Sequence, residues 1–337
     1  MNKKIDFFIS VKEKREVRVL QLTDTQIIDS SQCRFNGRIS LEAMQCWGKD
    51  QMENCLFKYI REAVRQANPD LILITGDVIY GEFDDLGTSL LAFIEHMDSY
   101  TIPWAPIYGN HDNETKKGAF WQNERLLASK YCLFKKGDTD GNGNYTIGVE
   151  QGGEIIRVFY MLDSNGCVNT FNPVENDVVG AYNFTDRQIK WLHQCMRQIT
   201  EANNGKVIHS SVCMHKPVRD FIKANEKYCN QSPFFTIGKE VQGDAGDFGS
   251  LKQRIVSTVG TNDDVAFRKL LKKYGVDSVF AGHLHKVNTS VLYEGIRWTF
   301  GLKTGIYDNY TEGEIGGTLI TFFKDTLNVR HLYYSAE

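Results

Sequence analysis

The apolar positions of this chain change period several times. Val17–Leu22 is a short apolar run that stops at Thr23-Asp24, as a strand does when it enters a polar turn. Across Met52–Ala67 the apolar residues fall at helical spacing, with Leu56, Tyr59, Ile60, Ala63 and Val64 on one face, and Asn68-Pro69-Asp70 ends the pattern. Leu71–Thr75 is continuously apolar, as expected of a strand covered on both faces. Residues 90–97 read as a helix and 104–108 as the next strand. In the second half, 155–162 and 207–214 read as strands around a helix at 185–200. A helix at 264–274 and a strand at 276–280 follow. Four short β segments come next, at 289–293, 296–300, 317–323 and 327–333, with Glu294-Gly295 as one hairpin turn. Strands alternating with helices predict an α/β layered fold, and the antiparallel tail adds a second sheet. We expect one domain over residues 1–337. Two stretches, 28–47 and 216–262, show no clear period. Each follows a motif residue, so each is expected to be a long loop walling the site.

Composition narrows the function classes. The chain has 337 residues, 42% hydrophobic and 24% charged, enough to bury a substantial core. A net charge of −3 gives no electrostatic reason to expect nucleic acid or an anionic membrane as partner. No apolar run reaches the roughly 18 residues of a membrane span, and the N-terminal apolar stretch is too short for an export signal. The expected location is cytoplasmic, with the eight cysteines as reduced thiols.

Five polar motifs each close an apolar strand. Thr23-Asp24-Thr25-Gln26 ends the first and Gly76-Asp77-Val78-Ile79-Tyr80 the second. Gly109-Asn110-His111-Asp112 ends the third, His215-Lys216-Pro217 a later one, and Gly282-His283-Leu284-His285 the last core strand. Singly, each has a plain alternative: an Asp after a strand is usually a cap or turn former, and a lone His there is more often structural. Together they gather Asp24, Gln26, Asp77, Asn110, His215, His283 and His285 at the carboxyl edge of the sheets, where α/β proteins bind ligands. Hard oxygens mixed with imidazoles, and no cysteine, suit Mn, Fe or Zn. An Asp can bridge two cations, one per oxygen, and a His beside a ligand can protonate a leaving group.

The ordered pattern D-x-H, G-D, G-N-H-D/E, H, G-H-x-H is that of the calcineurin-like metallophosphoesterases. This chain resembles them over residues 17–300, with Gln26 where His is usual. Ile102-Pro103-Trp104, Leu162-Asp163-Ser164 and Gln188 with Trp191-Leu192 resemble the cytosolic branch related to small purple acid phosphatases. The resemblance implies a four-layer αββα sandwich of two mixed sheets. It implies a dinuclear centre of divalent or mixed-valence ions, with Asp24, Gln26, Asp77 and His285 on one ion. Asp77, Asn110, His215 and His283 would hold the other, with Asp77 as the bridge. It further implies that His111 faces the substrate and that Asp112 orients it. Tyr80, three residues after Asp77, competes with Gln26 for the first ion. It stands where purple acid phosphatases have a phenolate, but their residue at the Gln26 position is glycine, so Gln26 is the expected ligand.

Two cations about 3.5–4 Å apart can lower the pKa of a shared water and clamp the phosphoryl oxygens. The expected activity is therefore metal-dependent phosphoester hydrolysis of a phosphorylated small molecule or phosphoprotein, with a phosphomonoester favoured. A phosphodiester or nucleotide pyrophosphate is the alternative, and a catalytically silent binding scaffold of the same fold a distant one. Arg34, Arg38, Lys216 and Arg219 are candidates for a further phosphate, each with a solvated surface charge as its plainer reading.

Overall fold

A computed structural model describes residues 5–35, 41, 45, 47, 52–165, 184–229, 239–240, 250–251, 264–308, 310–323 and 325–334. Its strands are β1 (Phe7–Val11), β2 (Val17–Leu22), β3 (Leu71–Thr75), β4 (Trp104–Ile107), β5 (Tyr145–Gln151), β6 (Glu154–Met161) and β7 (Ser210–Cys213). They continue as β8 (Lys239–Glu240), β9 (Ser250–Leu251), β10 (Val276–Ala281), β11 (Ser290–Tyr293), β12 (Ile296–Phe300), β13 (Gly316–Phe323) and β14 (Thr326–Tyr333). Its helices are α1 (Met52–Ala67), α2 (Thr88–Asp98), α3 (Gly118–Ala128), α4 (Asp186–Ala202), α5 (Arg219–Cys229) and α6 (Asp264–Lys273).

Two mixed sheets carry the architecture. One has seven strands in the order β1-β5-β6-β7-β10-β12-β11, the other five in the order β14-β13-β2-β3-β4. The centre of each is parallel: β2 with β3 and β3 with β4 in one, β6 with β7 and β7 with β10 in the other. Helices supply the crossovers that parallel pairs require. Period-two alternation decides what each face covers. On β6, Phe159 and Met161 join the core between the sheets, while Val158 and Tyr160 pack under the helices. On β10, Phe280 faces inward and Val279 and Ala281 outward. Leu56, Ile60 and Ala63 of α1 and Leu90, Phe93 and Met97 of α2 cover the five-stranded side. Leu192 and Met196 of α4, Phe221 of α5 and Leu271 of α6 cover the seven-stranded side. This is the four-layer αββα arrangement expected.

Polar ties join the layers. Gln21 of β2 donates across to the carbonyl of Ala281 at 3.1 Å and to Thr75 at 2.9 Å. Arg157 of β6, 1% exposed, holds Asp277 in two hydrogen bonds of 2.7 and 2.8 Å and lies over the Phe322 ring of the other sheet. At the start of α4, Thr185 and Gln188 form a capping box. Gln188 also donates to the Asp163 carbonyl at 2.6 Å and accepts from Asn165 at 2.9 Å. That network braces the turn after β6 next to the His215 loop, where Lys216 donates its amide to Ser164 at 2.8 Å.

Several elements differ from expectation. β1, β5 and α3 were not foreseen. The stretch 216–262 is not simply a loop: it opens with α5, whose Phe221 and Ala224 are buried, and holds the short antiparallel pair β8–β9. In 28–47, Asp29 caps a single turn at Ser30–Gln32 by accepting the Ser31 amide at 2.9 Å. Most of the remainder of both stretches lies outside the described residues. Among the described residues no helix is long and apolar enough to cross a membrane.

Candidate metal centre

The five motifs leave the carboxyl ends of β2, β3, β4, β7 and β10, and the two sheets bring those ends to one place. Two groups of donors form there: Asp77, His215 and His283, with atoms all within 4.8 Å of one another, and Asp24, Asp77 and His285, equally close. Asp77 belongs to both. Its Oδ1 accepts the amide of His111 at 2.8 Å. Its Oδ2 stands 3.2 Å from Nε2 of His215 on one side and 3.5 Å from the Gln26 amide on the other. Oδ2 is thus the Asp77 oxygen turned toward both donor groups, while Oδ1 is engaged by the His111 amide.

The chemistry of these atoms fits cations. His215 Nδ1 lies 2.8 Å from the Thr75 carbonyl, which can only accept, so Nδ1 carries the proton and Nε2 presents a lone pair. That lone pair meets two more acceptors, Asn110 Oδ1 at 3.2 Å and Asp77 Oδ2 at 3.2 Å. Buried acceptors facing one another repel unless a cation or proton lies among them. Burial works against protonating His215, but Asp77 outweighs it, by charge and by hydrogen bond, and pushes the imidazole up to about 9. His283 stays neutral, because burial first and His215 next bring it down to about 3. Burial would raise the two carboxyls. Hydrogen bonding to His285 and the charge of His215 overcome it for Asp24, and the charges of His215 and His111 for Asp77, so both stay well below the usual carboxylate range.

The backbone is bent to make this cluster. Asp24, Gln26, Asp77 and His283 all have positive φ, at 51°, 47°, 52° and 72°. Non-glycine residues in that region store strain that the surrounding structure must hold. Glycines give the room. A Cβ on Gly109 would sit 2.1 Å from Asp77 Oδ1, and one on Gly282 would sit 2.0 Å from Thr23 Oγ1. His283 donates its amide to both oxygens of Asp24, at 3.0 and 3.2 Å, which ties the first motif to the last.

The Asp112 carboxylate is engaged by backbone amides. Its Oδ2 accepts the amides of Asp77 at 2.9 Å and Gly109 at 2.7 Å, and its Oδ1 the amide of Ile79 at 3.1 Å. Burial first and Asp77 second push it up to about 7. It clamps two motif loops together. Asp112→Ala, leaving three buried amides without that acceptor, should cost about 2–4 kcal/mol of stability. Urea unfolding of the two proteins side by side tests this, and a difference below about 0.5 kcal/mol would show the clamp to be dispensable.

The carboxylate that does meet His111 is Glu114, 2.7 Å from Nδ1. Burial opposes protonation of His111, but Glu114 and then Asp77 carry it up to about 10. Tyr80 packs its ring on the His111 imidazole, centroids 4.2 Å apart, and also contacts Phe83 and Trp47. The structure thus makes Tyr80 a ring partner of His111.

Gln26 also departs from expectation. Its carbonyl oxygen accepts from the ammonium of Lys303 at 2.5 Å, and its NH2 end stands 3.3 Å from Nε2 of His285. Lys303 is 2% exposed and donates as well to the Asp24 carbonyl at 3.0 Å. Burial draws Lys303 down, against the charges of Asp24, Asp308 and Asp77. Asp308 Oδ2 lies 3.4 Å from Nδ1 of His285, the position from which a carboxylate fixes a ligand imidazole. Sequence reasoning missed Glu114, Lys303 and Asp308. Glu114 sits three residues after His111, and the other two lie in the loop after β12, a sixth strand end that obeys the same rule as the five. Of the basic candidates, Arg34 bonds the Glu82 carbonyl and Asp85, Lys216 is buried, Arg219 is exposed, and Arg38 lies outside the described residues.

Known proteins resemble this chain in sequence and in fold. A model of the family described as calcineurin-like phosphoesterase matches residues 17–287. Probable inactive purple acid phosphatase 28 of Arabidopsis thaliana is 34% identical over 106 residues, 27% of this chain and 27% of that protein. Phosphatase DCR2 of Saccharomyces cerevisiae is 32% identical over 114 residues, 33% of this chain and 19% of that protein. The matches thus span under a third of either relative's length. The crystal structure of a dimetal phosphatase from Danio rerio has the same fold, with a TM-score of 0.52 at 15% identity over 93% of this chain and 95% of that one. With four-fifths of its residues under the family model and the donor cluster at the shared sheet edge, this chain belongs to the calcineurin-like phosphoesterase family.

Proposed function

We propose that the chain is a metal-dependent phosphomonoesterase acting on a phosphorylated small molecule or phosphoprotein. The observation that supports this best is the pair of donor triads sharing Asp77. Asp24, Asp77 and His285 would hold one cation, and Asp77, Asn110, His215 and His283 the other. Two such ions, when bound, supply an activated water and neutralise charge on the phosphoryl oxygens.

The chain's own groups do the rest. Asp24 and Asp77 would bring two negative charges to the donor set, and the imidazoles and the Asn110 amide none once a cation takes the place of the proton on His215. Against two divalent cations that leaves a positive excess, which suits a doubly charged monoester better than a singly charged diester. Glu114 engages Nδ1 of His111 and so leaves Nε2 to give a proton to the leaving oxygen. Tyr80 fixes the plane of that ring by stacking. The two carboxylates, Asn110 and the three ligand imidazoles need no covalent phosphoenzyme.

The relative from Arabidopsis thaliana carries the word inactive in its name, so activity is the quantity to measure. Protein purified without added metal, analysed for its elements, then assayed on phosphomonoesters, diesters and nucleotide diphosphate derivatives, decides it. Hydrolysis of monoesters should exceed that of diesters, vanish on exhaustive chelation and return with Mn, Fe or Zn. Full turnover by metal-free protein overturns the mechanism. No turnover by protein holding two ions points to the binding-scaffold reading instead.

A further inference from the structure

We propose that Lys303 withholds the Gln26 carbonyl from the first cation position, so that this site has only Asp24, Asp77 and His285 as protein donors and loads more weakly than the second. The inference rests on the two-metal reading above and adds an order of occupancy to it.

An ammonium has donors and no acceptor. The Gln26 atom at 2.5 Å from Lys303 Nζ must therefore be its oxygen, which turns the NH2 end toward Asp77 and His285. An amide nitrogen has no lone pair to give a metal. To ligate, Gln26 would have to rotate, leaving Lys303 buried with the Asp24 carbonyl as its remaining hydrogen-bond acceptor among the bonds described above. Lys303 has little freedom to follow, since its loop is pinned to the first motif: Thr23 donates its amide to Thr304 Oγ1 at 3.1 Å, and Thr304 and Gly305 donate theirs to the carbonyls of Thr23 and Asp24 at 2.9 and 3.1 Å. A Cβ on Gly305 would come within 2.2 Å of the Thr25 carbonyl, so the two loops are in direct backbone contact. At the second position Lys216, also buried, lies close enough to bear on His283, but the donor oxygen of Asn110 is turned into the cluster. Asn110 Oδ1 points at His215 Nε2, and four protein donors surround that position. One protein donor fewer, and a lysine hydrogen-bonded to the oxygen that would supply it, weaken binding at the first position.

The test is a calorimetric titration of chelator-stripped full-length protein with Mn2+. Wild type should bind two ions in steps at least about tenfold apart in affinity. Lys303→Met removes the charge and frees the Gln26 carbonyl, and should narrow that gap about tenfold or more. Adding Gln26→Ala to Lys303→Met should widen it again. Lys303→Gln removes the charge but still donates to Gln26, and should give an intermediate gap. It also carries the test should circular dichroism show Lys303→Met unfolded. Two equal steps in wild type, or a gap unchanged or wider in the Lys303 variants, would overturn the proposal. Wild type that binds no Mn2+, Zn2+ or Fe2+ would instead refute the two-metal reading itself.

Discussion

Asp77→Asn should lose both metal ions and at least about 10³-fold in turnover. The size follows from what is removed: metal stabilisation of the reacting phosphoryl group is worth several kcal/mol, and each 1.36 kcal/mol is a factor of ten. The effect should exceed that of any other ligand change, because Asp77 is the one donor common to both triads. The substitution keeps shape. Asn retains an acceptor for the His111 amide, which Asp77 Oδ1 holds at 2.8 Å, and asparagine tolerates the positive φ of 52° found there. Loss of metal can therefore be separated from loss of fold by comparing elemental analysis with far-UV circular dichroism. A folded Asp77→Asn protein with two ions and normal turnover is incompatible with a bridging role.

The second large effect belongs to His111. His111→Ala should lower turnover by about 10²–10⁴-fold, the range of general acid catalysis, and leave the metal content at two. The loss should shrink on nitrophenyl phosphate, whose leaving group needs little protonation, and be greatest on alkyl phosphates. Glu114→Gln should show the same substrate dependence at about tenfold, since an amide still accepts from Nδ1 but without the charge. Equal losses on good and poor leaving groups would remove His111 from proton transfer. Metal loss in the variant would make its part structural.

Much of the two-sheet core was legible because its strands are apolar on both faces. Leu71–Thr75 reads as buried and is buried at every position. Asp24, Asp77, Asn110, His215, His283 and His285, which the structure brings together, were legible for a related reason: each stands just past such a strand, where a polar residue has no packing role. The gaps have causes too. Strand β5 contains Gly148 and charged Glu150, and its pairing with β1 spans more than a hundred residues and leaves no local trace; the Gly152-Gly153 turn into β6 was the local signal, and it was passed over. The contact of Gln26 with Lys303 was illegible because sequence supplies the side chain's capacity to ligate but not the neighbour that holds it. The contacts of Asp112 were illegible for a similar reason: three backbone amides, invisible as residue types, use its carboxylate.

The pairing of β13 with β2 sets Thr318 against Gln21 and Leu319 against Leu20, so the strand that delivers Asp24 is flanked by chain made about three hundred residues later. Lys303 and Thr304 reach the same turn from the far end of the sequence. During synthesis, at about 5–20 residues per second, the N-terminal strands must wait with their Asp24 turn bonded to the turn after β3 alone, until the chain beyond β12 leaves the ribosome. The centre therefore cannot mature in halves. A ribosome stalled after residue 285 but before residue 316 would carry a chain that already contains every candidate metal donor yet lacks the strand that pairs with β2.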